Sequence, residues 1–166
     1  MKSIDTFNRS EKLVVSNRKA RHEYEIISAY EAGIVLQGTE VKSLRAGQSS
    51  LQDAHSKFLN KNSLELYLYG FHISPYEQGS YANHTPKRPR KLLLNHSELK
   101  RIKNVITEKK YVLIPLSVYF SGHIAKIELA VCRPKKKYDK REALKAKEQK
   151  REISRKMKTF KSPLHH

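Results

Sequence analysis

Eight histidines, one cysteine and sixteen Asp and Glu residues are the groups with which this chain could move a proton, hold a metal or form a covalent intermediate. Their spacing points to none of these. No two internal histidines bracket a glutamate at the i, i+4 spacing that sets two imidazoles over zinc on one helix face. No G-x-x-x-x-G-K-[ST] phosphate loop and no G-x-S-x-G elbow occurs. His22, Glu23 and Glu40 would make a small basic nuclease only if the fold gathered them, and nothing in their spacing demands that. Cys132 reads as a small buried hydrophobe on a strand. As the only cysteine it excludes an internal disulfide and any Cys-based zinc ribbon. The expectation is no catalytic residue, no metal and no cofactor.

The cations say more. Lys and Arg total 34, for a formal charge of +18 in 166 residues. An excess of that size is self-repulsive and exists to meet a polyanion. Asn17-Arg18-Lys19-Ala20-Arg21-His22 packs cations among side chains that can read base edges or 2′-hydroxyls. Lys87-Arg88-Pro89-Arg90-Lys91 is a second cluster, running into Leu92-Leu93-Leu94. One of those leucines, exposed beside the cations, could pack on an unstacked base. Lys42 and Arg45 add charge on a short helix. Tyr67, Tyr69, Phe71, Tyr76 and Tyr81 are possible stacking surfaces, although most read as wall of the fold. From Arg133 to Lys161 there are 14 Lys and Arg against 4 Asp and Glu, a net of +10. Apolar side chains are sparse there, so this tail cannot offset its ordering entropy alone and should be disordered when free. It is rich in helix formers, and Ile153, Met157 and Phe160 share a helical face. A helix formed on a polyanionic surface follows.

Position requires elements. The first sixteen residues show no period and should fray. Glu23 to Leu36 reads as two short extended runs broken at Ala32-Gly33. Thr39 to Ala46 reads as a short helix stopped by Gly47. Ser56 to Asn60 and Leu64 to Ile73 form a hairpin around Lys61-Asn62, with Leu64, Leu66 and Leu68 on one face. A proline-rich loop precedes the best helix, Asn95 to Glu108, where Asn95 and Glu98 make a capping-box pattern. Tyr111 to Ser121 and His123 to Arg133 form a second hairpin turned at Ser121-Gly122. The fold expected is mainly β with flanking helices. It is a small closed barrel of the oligonucleotide-binding type, with a helix at one end and the basic tail behind it. The boundaries are 1–16 flexible, 17–132 barrel and 133–166 tail. No run reaches the roughly eighteen apolar residues of a spanning helix, and the first fifteen residues lack a signal-peptide core. A soluble, cytoplasmic protein without membrane partners is expected.

Asn17-Arg18-Lys19-Ala20-Arg21-His22-Glu23-Tyr24, Tyr30-Glu31-Ala32-Gly33-Ile34 and Leu36-Gln37-Gly38-Thr39-Glu40-Val41-Lys42-Ser43-Leu44-Arg45 resemble the SsrA-binding protein family. Arg90-Lys91-Leu92-Leu93-Leu94-Asn95 and Lys136-Lys137-Tyr138-Asp139-Lys140-Arg141 continue the likeness in order, over about residues 17 to 158. The resemblance implies an oligonucleotide-binding-type barrel flanked by helices. It implies a partnership with transfer-messenger RNA and with stalled ribosomes in trans-translation, in the bacterial cytoplasm. Alanyl-tRNA synthetase and elongation factor Tu, which act on the same RNA, are further implied partners. Carried over by residue, the RNA face includes Asn17, Glu31 and Leu93, with Arg18, Lys19 and Arg21 beside it. His22, Lys42, Arg45, Arg90 and Lys91 complete the expected surface. Glu31 would accept from base amino groups or hold a neighbouring cation. The tail, through Lys136, Lys137, Tyr138, Asp139, Lys140, Arg141, Met157 and Lys158, would occupy the decoding centre and the empty messenger path of the small subunit. Tyr138 stands where many relatives have His, and so cannot become cationic near neutral pH. Lys156 stands at a position that is usually apolar. Without the resemblance, the residues also fit a ribosomal or general single-strand RNA-binding barrel.

Overall fold

The computed structural model describes residues 11–79, 82–135, 148–149 and 152–153. The chain divides into two compact units, Met1–Pro134 and Lys135–His166. The first unit runs β1 (Glu11–Ser16), α1 (Ala20–Glu23), β2 (Tyr24–Ile34), α2 (Gly38–Arg45), β3 (Ser49–Ser50), β4 (His55–Phe58), β5 (Leu66–Tyr69), β6 (His72–Ile73), β7 (Arg90–Leu93), α3 (His96–Lys109), β8 (Val112–Ser121) and β9 (Ile124–Pro134). In the second unit, residues 148–149 and 152–153 are helical and exposed.

Seven strands form one sheet in the order β1-β8-β4-β5-β7-β2-β9, and β9 also pairs with β8. Hydrogen-bonded neighbours therefore lead from β8 through β4, β5, β7, β2 and β9 back to β8. β3 and β6 form a separate pair. The period-2 pattern sorts the faces as expected on β5: Leu66 and Leu68 are fully buried, while Tyr67 and Tyr69 point to the partly exposed side. On β7, Arg90 and Leu92 are buried while Lys91 and Leu93 alternate outward. Phe71, Ile73, Leu113, Ile127 and Leu129 join this core, and Ile102 seats α3 on it. The backbone N–H of Asn95 donates to Glu98 Oε2 at 3.2 Å, the expected start of α3. The β8–β9 hairpin turns at Gly122, with φ +60.

Two readings of the sequence are corrected. Glu11–Ser16 does not fray but pairs antiparallel with β8. A bulge between Leu13 and Val15 shifts the phase, so Val14 and Val15 both pack on the core and no alternation is visible. Ala32-Gly33 is no break either, because β2 is continuous through it. There Gly33 pairs with Leu93 on one side and Lys126 on the other. Gly70, at φ +70, joins β5 to β6. A Cβ there would stand 2.5 Å from the Asp53 carbonyl oxygen, so only glycine fits.

One polar cluster crosses the core. Glu40 and Arg90 are both fully buried. Arg90 Nε donates to Glu40 Oε1 at 2.8 Å, and its Nη atoms donate to the carbonyls of Phe71 (2.5 Å), Arg88 (3.2 Å) and Pro86 (3.0 Å). Arg88 adds two bonds to the same carboxylate, and the Gln37 N–H donates to Oε2 at 2.7 Å, capping α2. Burial pushes the Glu40 carboxyl up. The bonds from Arg88 and Gln37 and the charge of Arg90 outweigh it and hold the group below the usual carboxylate range.

Glu40→Gln should therefore cost about 3–5 kcal/mol, the range for stranding one buried charge, read as a lower denaturant midpoint at pH 7. The pH sign follows from the lowered value. The unfolded chain takes up the proton first, so the stabilisation is complete above the usual carboxylate range and disappears as pH falls through the folded value. Acid should thus weaken the parent more steeply than the Gln variant in matched denaturant titrations.

Candidate nucleic-acid interface

The first basic cluster is a built turn. The backbone N–H of Asn17 donates to the Leu116 carbonyl at 2.7 Å. Its side-chain Oδ1 accepts from the Ala20 N–H at 3.1 Å, and its Nδ2 donates to the Leu51 carbonyl at 3.4 Å. Asn17 thus fixes the start of α1 while keeping part of its hydrogen-bonding capacity. Ala20 is buried as the anchor of the turn. Arg18, Lys19, Arg21 and His22 are all exposed around it. Neither Arg18 nor Lys19 has a carboxylate partner among the described residues. Beside them lies a cavity of about 270 Å³, lined by Asn17, Lys19, Glu23, Gln52, Asp53 and His55 among others. Glu40 is absent from it. Its carboxylate is occupied by two arginines in the core, so the His22, Glu23, Glu40 grouping does not form.

A second surface is organised by Glu31. On the outward side of β2, its Oε1 lies 2.6 Å from Lys126 Nζ of β9, and its Oε2 accepts from the Tyr119 hydroxyl of β8. One carboxylate thereby ties three neighbouring strands. Lys126 is not legible as a site residue in the sequence, because it is an isolated cation in an alternating strand. Its only signal is outward phase on the arm that pairs with β2. Gly33 sits between Lys126 and Leu93 in register, and its missing side chain leaves a notch between them. Leu93 is 54% exposed, whereas Leu92 is buried. This is the exposed leucine expected beside the cations. Lys91, next outward on β7, pairs with Glu65, whose hydrogen bond raises the lysine above its ordinary value.

Lys42 and Arg45 stand on α2, both exposed, each over a ring. Lys42 Nζ is 5.0 Å from the Tyr76 centroid and the Arg45 guanidinium is 5.5 Å from that of Phe120. Arg90 does not belong to an RNA surface. It is fully buried on Glu40 with its guanidinium 5.2 Å from the Phe71 ring. Inward phase on β7 and a carboxylate fifty residues away in sequence put it there. Phe71, which follows the Gly70 turn, is fully buried in the core. Tyr81 and the tail positions Lys136, Lys137, Tyr138, Asp139, Lys140, Arg141, Met157 and Lys158 lie outside the described residues. No group of His, Cys, Asp and Glu suited to a metal occurs among the described residues. No described helix is long and apolar enough to cross a membrane.

An antiparallel sheet with cations and an exposed leucine outside, and its buried charges neutralised inside, is the build of a nucleic-acid-binding protein. The comparisons agree. The SmpB protein family matches residues 14–159, and the chain belongs to that family. It is 54% identical over 145 residues to the SsrA-binding protein of Desulforudis audaxviator, covering 87% of this chain and 93% of that one. It is 50% identical over 144 residues to that of Geobacillus thermodenitrificans, covering 87% and 91%. A solved structure described as "tmRNA-SmpB: a journey to the center of the bacterial ribosome" superposes with a TM-score of 0.61 at 46% identity, over 78% of this chain and 93% of that one.

Cys132 stands apart from these surfaces. It is fully buried between β2 and β8 partners, and burial pushes its thiol up to about 11. At pH 8 the native chain should resist alkylation by iodoacetamide for hours, while the denatured chain should react within minutes. Mass spectrometry of the trapped thiol checks this.

Proposed function

We propose that this protein is a non-enzymatic RNA-binding adaptor of trans-translation, binding transfer-messenger RNA and acting with it on stalled ribosomes. The observation that carries the reading is the exposed cationic turn of Arg18 and Lys19, built by Asn17, in a chain of the SmpB protein family. The names of its relatives and the complex described for its structural neighbour support the same partners. Arg and Lys on a fixed turn position phosphates, while Leu93 and the Gly33 notch offer an apolar contact for an unstacked base. Alanyl-tRNA synthetase and elongation factor Tu would be met through the same RNA.

The return of the strand pairing from β9 to β8 supports a closed barrel of the oligonucleotide-binding type. The working division is a barrel over 17–132, to which β1 adds a strand, and a ribosome-directed tail over 133–166. The tail, with a net of +10 from Arg133 to Lys161, would enter the messenger path as a helix once phosphates cancel its self-repulsion.

Lys19→Ala with Arg21→Ala should weaken transfer-messenger RNA binding. It should also make the log–log salt slope shallower by about 0.7–0.9 for each phosphate no longer neutralised. Fluorescence anisotropy across a salt titration reads both, and an unchanged slope removes the turn from the interface. A chain ending at Arg133 should keep RNA affinity, because every strand pairing but that of Pro134 is retained, and lose peptide tagging on stalled ribosomes. Ala146→Pro should mimic that split, since Pro costs about 3 kcal/mol relative to Ala inside a helix, whereas Ala146→Lys should tag like the parent. Tagging by the proline variant at parental rate would make the tail an extended polycation.

A further inference from the structure

Between the two cationic surfaces, the outward side of β4 and β5 carries rings where a soluble sheet ordinarily carries Thr, Lys or Glu. His55 and Tyr69 are paired directly across the strands. Their rings stack at 5.8 Å between centroids and 19° between planes. Tyr67 lies beside Tyr69 at 6.5 Å and 48°. Lys57, cross-strand from Tyr67, holds its Nζ 4.7 Å from the Tyr69 centroid. His55 and Lys57 are exposed, and both tyrosines are half-buried. The rings stand on a strand whose other face is buried through Leu66 and Leu68, and they remain reachable from solvent.

The row has neighbours at each end. His55 also lines the cavity that Asn17 and Lys19 border. Tyr67 is cross-strand from Lys91, which is two residues from exposed Leu93. The shared cavity and the strand register together link the Asn17 turn to Leu93 by rings flanked with ammonium groups, and Glu65, held by Lys91, is the carboxylate on that path. Base-on-aromatic stacking is indifferent to sequence and needs bases that are not paired with others. Ammonium groups beside the rings suit phosphates at the spacing of a single strand.

We propose that His55, Tyr69 and Tyr67 form a stacking platform for unpaired nucleotides of the bound RNA, with Lys57 and Lys91 taking the phosphates. The proposal deepens the RNA-binding reading and rests on it. It makes the outer face of β4, β5 and β7 one continuous RNA track from Lys19 to Leu93, and it gives the protein a preference for single-stranded over fully paired segments.

The test uses the full chain with an unlabelled oligoadenylate decamer and a fully paired RNA hairpin of equal charge. Ultraviolet crosslinking followed by peptide mass spectrometry should place the decamer on Tyr67 or Tyr69. Tyr67→Leu with Tyr69→Leu should lower decamer affinity about tenfold or more, the loss expected for one stacked base, and leave hairpin affinity and the salt slope alone. The Phe pair should bind like the parent, which separates the rings from their hydroxyls. His55→Ala, at an exposed position, should give a smaller loss in the same direction without touching the core. Parental decamer affinity in the Leu pair, or crosslinks only at other positions, overturns the platform. Transfer-messenger RNA binding by the parent, measured alongside, keeps the two readings apart. If it binds while the platform fails, only the platform falls; if the parent binds neither RNA, the RNA-binding reading falls too.

Discussion

Arg90 pointing inward is the constraint from which the outward face of β7 follows. Its guanidinium is held by Glu40 and by three carbonyls from Phe71, Pro86 and Arg88. That fixes the phase of β7, because side chains alternate and a slip of one residue reverses every face. With Arg90 in, Leu92 is in, and Lys91 and Leu93 are out. A one-residue slip would bury Lys91 and Leu93 and expose Leu92. Glu40 also caps α2 through the Gln37 N–H, so the same carboxylate sets where Lys42 and Arg45 stand. A buried ion pair gains little net stability over an apolar replacement, because desolvation opposes the Coulomb attraction. Here its consequence is register, since four hydrogen bonds at fixed directions are met only with Arg90 turned inward.

Four carboxylates of this basic chain are tied into ion pairs among the described residues. Glu40 neutralises Arg88 and Arg90, Glu31 meets Lys126, Glu65 meets Lys91 and Glu25 meets Arg133. Each pairing joins residues far apart in sequence, so the carboxylates stitch strands to one another while the cations at the Asn17 turn keep their field. Exposed pairs of this kind add little to stability, because water screens them. Their larger effect is on where positive potential remains. Among the described residues Arg18 and Lys19 have no carboxylate within ion-pair distance, which leaves their charge available to a polyanion.

How far the sequence can be read depends on whether the signal is local. The helix over α3, its capping residues and the β8–β9 turn at Gly122 are local chemistry and are legible. So is the alternation of Leu66 and Leu68 with Tyr67 and Tyr69. β1 is not, because the bulge at Leu13 and Val15 erases the period by which a strand is recognised. The sequence of β2 reads as broken at Ala32-Gly33 only because glycine resembles punctuation. A Cβ at Gly33 would meet the Leu93 Cβ at 3.5 Å, an ordinary contact, so the strand runs through that position with or without a side chain. The basic cluster at 87–91 stands out in the sequence, but its division into a buried and an exposed half does not. Composition counts charges and is blind to the face on which each one stands. Lys126 is hidden for the opposite reason, being a single cation without a cluster.

In the proposed RNA-binding reading, Glu31 shows how an anionic residue can belong on a surface that meets anions. Alone, a carboxylate there would repel phosphate. Held by the Tyr119 hydroxyl on one oxygen and Lys126 on the other, it is paired with a cation and acts on the surface through that partner. It keeps the Lys126 ammonium over β2, beside Gly33, instead of leaving it free to follow its four-carbon stem into solvent. A positioned ammonium loses less side-chain entropy when it meets a phosphate than a free one does, so the ordering cost falls on folding and not on binding. Tyr119 is buried on β8, so the carboxylate itself is anchored to a fixed side chain. The same logic runs through Asn17 at the first turn, whose carboxamide holds the backbone that presents Arg18 and Lys19. In both places a residue of low or negative charge fixes the geometry, and the cation next to it supplies the attraction. Glu31→Gln, which keeps a hydrogen-bond acceptor for Tyr119 but loses the pairing with Lys126, would therefore weaken that surface by loosening a cation even as it raises the net positive charge.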